Sequence, residues 1–167
     1  MSIKTTLFAG LLALLPGFAS AHIVIEDAYA RVSSAMAQSG AVFMTIYNHN
    51  DFAEVLTGAS SDVAVRVELH THLQDSAGVM RMVEIEGGIP MAADETVLLQ
   101  RGGLHVMLLG LTRTLAHGDS FSLTLEFQNS DPITIEVPVD LERGADHGAA
   151  GGQMDHGNHG AGHHHGG

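Results

Sequence analysis

The chain has 167 residues, with twelve histidines, no cysteine and a formal charge of −12. The missing cysteine excludes disulfides, thiol redox chemistry, iron–sulfur clusters, thiolate-bound zinc and a blue-copper centre. Beyond Lys4, its only lysine, six arginines face nineteen acidic residues, which argues against nucleic acid and suits a cation or a basic partner.

Residues 1–21 read as an export signal. Lys4 gives a positive start, Leu7 to Leu15 is an apolar run, and Ala19-Ser20-Ala21 fits a small-residue cleavage site after Pro16 and Gly17. The run is too short to span a bilayer. Cleavage after Ala21 places the mature chain in the periplasm, not spanning the membrane, with His22 as its first residue. The new α-amine and the His22 imidazole would then form a two-nitrogen grip suited to Cu(II).

The next segments alternate apolar and polar residues. Strands are expected over 23–31, 41–48 and 53–59. "VAVRVELH" (63–70) places Val63, Val65, Val67 and Leu69 on one face, and Arg66, Glu68 and His70 on the other. Strands over 79–86, 95–100 and 104–109 follow. "SFSLTLEF" and "ITIEVPV" then set Phe121, Leu123, Leu125, Phe127 and Ile133, Ile135, Val137, Val139 in alternating rows. Turn signals stand at 48–51, 86–88, 101–103 and 117–119, where His49 and His117 read as surface residues. Eight or nine short strands of this kind predict one antiparallel sandwich or barrel over 22–141.

Residues 142–167 form a separate segment. From 144 onward it holds nine glycines and six histidines, and Met154 is its one apolar residue larger than alanine. Such a composition buries no core and predicts disorder. His147, Met154, His156, His159, His163, His164 and His165 supply donors suited to capturing Cu(II).

Three pairs within the body share a spacing of two: His70 with His72, Met80 with Met82, and His105 with Met107. On a strand each pair shares a face. The two pairs that contain histidine lie opposite their strands' main apolar rows, so core filling does not explain all three. Thioether sulfur is a poor ligand for zinc, calcium or magnesium and a good one for Cu(I). A His/Met set is uncharged, which suits a monovalent ion, and contains no thiolate to be oxidised outside the cytoplasm.

The run "VELHTH…GVMRM…GGLHVMLLGL" resembles the periplasmic PCu(A)C copper chaperones. "DAYAR", "GAVFMTIYN", the "IP" at 89–90 and the closing "ITIEVPV" extend the resemblance over most of 22–140. The family's pattern of a His, a Met and then His-x-Met falls on His70, Met82, His105 and Met107, with each long spacing one residue above the usual. Turns at 74–78 and 86–90 can absorb the extra residues. His72 and Met80 are secondary candidates beside this set, as is His22. The resemblance implies an all-β, cupredoxin-like Greek-key sandwich, here with a His-rich tail. It also implies a monomeric non-enzyme that carries Cu(I) to the copper-A subunit of cytochrome c oxidase or to another copper chaperone. Copper sequestration for tolerance, without a dedicated acceptor, is the alternative that the His-rich tail keeps open. A redox enzyme using copper at His22 and a metal-free interaction module are further readings.

Overall fold

A computed structural model describes residues 22–34 and 36–144. The export signal expected over residues 1–21 and the tail donors expected from His147 to His165 lie outside the described residues, as does the disorder expected of that tail.

The described residues form strands and no helix: β1 (Ile23–Val32), β2 (Ser39–Asn48), β3 (Glu54–Ser60), β4 (Ala64–Gln74), β5 (Met80–Glu84), β6 (Ile89–Met91), β7 (Thr96–Leu99), β8 (His105–Leu111), β9 (Ser120–Phe127) and β10 (Ile133–Pro138). One sheet runs β1-β2-β8-β4-β5, with β7 also paired to β2; the other runs β10-β9-β3-β6. All these pairings are antiparallel. The late strand β8 lies between the early strands β2 and β4, so its sheet neighbours are not its chain neighbours. This is the cupredoxin-like sandwich that the sequence led us to expect.

The alternating rows explain the packing. Phe121, Leu123, Leu125 and Phe127 of β9 are buried and meet Val42, Met44 and Ile46 of β2 and Val106 and Leu108 of β8 in one core. Each fully buried Leu or Ile contributes about 1.5–3 kcal/mol. No disulfide reinforces them, since the chain has no cysteine.

Two expectations need correction. Val65 does not join the inward row of β4: it is 77 % exposed, and Ala64 is buried instead. Opposite it Gly110 adopts a left-handed φ of +67°, and a Cβ there would lie 3.2 Å from Val65. The regular alternation is broken at the position where Val65 lies over Gly110. The second correction is β6, read as part of a turn because of "GGIP". Ile89 and Met91 are buried, and the strand pairs with β3 at the sheet edge. An edge position tolerates Pro90, which has no N–H to donate.

Glu54 is a buried carboxylate with no sequence signal to mark it. It accepts hydrogen bonds from the Val55 and Asn129 backbone amides and from Ser130 Oγ, at 2.8–2.9 Å for the shortest of each. Burial pushes its pKa up, but these bonds outweigh burial and leave it below the ordinary carboxylate value.

Candidate metal centre

Four strands of the first sheet build the site. The i,i+2 rule places each His/Met pair on one face, and strand register then decides which pairs meet. On β4, His70 stands opposite His105 of β8, and His72 stands opposite Met82 of β5. Met107 faces Glu68 on one side and Ala41 of β2 on the other. Met80 faces Gln74, two residue pairs further along the hairpin.

His105 forms the floor. It sits on a strand flanked by partners on both sides and is 1 % exposed. Ring centroids of His72, His70 and Phe43 lie 5.2, 5.9 and 6.1 Å from its own. Two imidazoles on one ion, with metal–nitrogen bonds of about 2 Å, place their centroids roughly 4.5–6.4 Å apart. Both β4 histidines therefore fall within reach of an ion held by His105.

Hydrogen bonds commit one nitrogen of each ring. His105 Nδ1 and His72 Nδ1 both donate to the Gly103 carbonyl, at 3.0 and 3.3 Å. His70 Nε2 donates to Glu68 Oε2 at 2.9 Å. A carbonyl or carboxylate oxygen only accepts, so the other nitrogen keeps its lone pair: Nε2 on His105 and His72, and Nδ1 on His70. His70 Nδ1 is buried and has no hydrogen-bond partner among the described residues. Leaving such a group unmatched costs about 1–3 kcal/mol. Arg66 balances the Glu68 charge from 3.0 Å.

Burial holds the His105 pKa below the ordinary histidine value. The Gly103 hydrogen bond opposes this, while His72 and His70 reinforce it. The ring is thus neutral at physiological pH, as a ligand must be.

A cavity of about 320 Å³ opens onto this floor, lined by His72, Met82, His105 and Met107 together with Phe43, Arg31 and Arg101. The donors grade outward: Met107 is partly covered, and Met82 on edge strand β5 is 50 % exposed. His70 and Met80 do not line the cavity. Among the described residues, no group of three or more His, Asp or Glu side chains is placed to hold a metal ion. A metal at this cavity would therefore need the thioethers. His22 lies at the opposite end of the sheet, beside His49.

Sequence reasoning missed the supporting residues. Glu68 was legible as the first member of E-x-H-x-H, an alternating row on one face. Gly103 was legible only as a turn residue. Phe43, Arg31 and Arg101 left no signal, because they join the site through pairing and loop placement.

The chain matches the sequence profile of the family described as "Putative lipoprotein LpqE-like" over residues 23–139. The "Putative lipoprotein Lxx21020" of Leifsonia xyli subsp. xyli is 30% identical over 124 residues, covering 74% of this chain and 73% of the relative. Among solved structures, the copper-bound PCuAC domain from PmoF2 superposes with a TM-score of 0.59 at 23% identity, over 71% of this chain and 92% of that domain. The solution structure of CuI-DR1885 from Deinococcus radiodurans matches with a TM-score of 0.58 at 28% identity, over 74% of this chain and 83% of that one. These matches bear out the resemblance read from "VELHTH" and "HVMLLGL".

Proposed function

The chain belongs to the LpqE-like family, and from that premise and its PCuAC fold we propose that it is a copper chaperone of the cell envelope. It carries Cu(I) and is not an enzyme. The observation that supports this most is the convergence of uncharged donors on one cavity: two thioethers and an imidazole floor whose tautomers are already set. Soft sulfur and neutral nitrogen match Cu(I), and the absence of a ligand charge leaves a divalent ion poorly compensated. Arg31 and Arg101 at the same cavity penalise the divalent ion further.

In this reading His105, Met82 and Met107 hold the ion, and the fourth donor comes from β4. His72 is favoured because it lines the cavity opposite Met82. His70 is the alternative fourth donor, because Glu68 orients it and its Nδ1 is bare. Copper leaves by ligand exchange. An acceptor's donor approaches the exposed Met82, displaces its sulfur, and takes the ion as the inner ligands release it in turn. The two arginines at the cavity would steer an acidic acceptor surface. We assign as acceptor the copper-A subunit of cytochrome c oxidase or another copper chaperone, and to the tail histidines the capture of Cu(II).

Competition with a chromophoric Cu(I) chelator tests the site. One Cu(I) should be held under reducing conditions, and the Met82→Ala/Met107→Ala double variant should lose it. Metal analysis after mixing the loaded protein with an apo copper-A domain tests delivery. Cu(I) held equally well by the double variant, or not held by the unaltered protein, would sink the site as drawn. Tight binding without transfer would replace delivery by sequestration.

A further inference from the structure

The chain enters β8 through the turn Gln100–Gly103, which joins it to β7. Pairing between β4 and β8 ends where His70 stands opposite His105. Continued by two residues, that register would set His72 opposite Gly103, but the chain has left the sheet there. The bond from His72 Nδ1 to the Gly103 carbonyl, at 3.3 Å, bridges the gap. The same oxygen accepts from His105 Nδ1 at 3.0 Å. A peptide oxygen has two lone pairs, so one carbonyl can serve both rings.

The turn that aims this carbonyl depends on one backbone conformation. Gly103 N–H donates to the Gln100 carbonyl at 3.0 Å, and Gly102 between them has a φ of +82°. Gly102 is exposed, lines the cavity, and has nothing within 4 Å of the place a Cβ would take. Space therefore does not demand glycine at this position. The left-handed backbone does, and a β-branched residue adopts it only under strain.

We propose that Gly102 is a positioning residue for the cavity, and that its turn orients His72 and His105 as a pair through the Gly103 carbonyl. This rests on the reading of the cavity as a Cu(I) site. The two rings come from different strands, yet both take their tautomer, and hence the bare Nε2, from one oxygen. A displacement of that oxygen by about 0.5 Å would carry the His72 bond past hydrogen-bond length and weaken the His105 bond. Both nitrogen donors would then lose their orientation together, while β5 and β8 still hold Met82 and Met107. His70 is independent of the turn, because Glu68 on its own strand orients it.

Nuclear magnetic resonance of the imidazole nitrogens in the apo protein tests the proposal, at about pH 8 where free imidazole is neutral. The unaltered chain should show His72 and His105 protonated at Nδ1 and His70 protonated at Nε2. Gly102→Val should turn His72 and His105 together into tautomer mixtures and leave His70 unchanged. Gly102→Asn should restore both rings, since asparagine tolerates the left-handed region. Cu(I) affinity in chelator competition should fall about 10-fold in Gly102→Val and recover in Gly102→Asn. Unchanged tautomers at His72 and His105 in Gly102→Val would overturn the proposal. So would a change at all three histidines, which would mark a general loosening of the sheet. Tautomers that respond as described in a chain that binds no Cu(I) would instead overturn the copper reading and leave the turn's hold on the two rings standing.

Discussion

The floor and the rim of the cavity differ in how the fold treats them. His105 lies on β8, with β2 on one side and β4 on the other, and is 1 % exposed. Met82 lies on β5, which has a partner on one side only, and is 50 % exposed. Two uncharged side chains of the same cavity, an imidazole and a thioether, thus appear once as part of the packed sheet and once as an edge residue. The difference separates two demands on a carrier. Affinity needs a preorganised donor that solvent and partner do not reach, and release needs a donor that a partner can displace. In the proposed function, placing the two on a central and an edge strand would meet both demands without any moving domain.

Substitutions at the two positions should therefore have unlike signatures. His105→Ala should have the largest effect. It removes a buried ring and leaves a cavity, so the apo fold should lose about 2–3 kcal/mol in denaturant melts. Cu(I) affinity should fall on the order of 100-fold in chelator competition. Met82→Ala should weaken Cu(I) roughly 10-fold or more, while apo stability stays within about 0.5 kcal/mol. Equal loss of stability in both variants would erase the distinction between floor and rim.

Acid should leave the thioethers of the rim untouched, since they do not titrate, and act on the floor. The folded pKa of His105 is lowered, chiefly by burial, so below about pH 6.5 the unfolded chain takes up a proton that the native ring refuses. Apo stability contributed by His105 is complete above that pH. It falls as pH drops from 6.5 towards the lowered folded value, by at most about 1.4 kcal/mol per pH unit. Thermal melts at several pH values should show this slope and should show less of it in His105→Gln. Cu(I) affinity should hold near neutrality and decline in the acid range, where protons compete for the rings.

Smaller effects test the supporting residues. Glu68→Gln keeps a hydrogen-bond acceptor beside His70 but removes the charge that orients it, so Cu(I) affinity should change only a few-fold. Met80→Ala should leave Cu(I) affinity unchanged within about two-fold, since Met80 pairs with Gln74 outside the cavity. A large loss there would mean that the rim extends further along the hairpin than the cavity lining indicates.

Much of this was legible in the sequence because a strand's two-residue period is a local property. The rows of β9 and β10, the shared faces of His70/His72 and His105/Met107, and the soft, uncharged character of the donors all follow from residues close together in the chain. The breaks in that reading arose where distant residues intervened. Val65 lies exposed over Gly110 across the sheet rather than in the inward row, and Pro90 hides β6 because an edge strand can do without its N–H. Only the tertiary structure decided that His72, rather than His70, stands opposite Met82 and lines the cavity, and that His105 lies beneath the surface. Register depends on the turn geometry and on cross-strand packing between segments far apart in sequence. A slip of one residue would send each donor to the other face. Burial of His105 likewise depends on β2 and β4, which pair with β8 from well upstream, so no window around "GLHVM" could contain it.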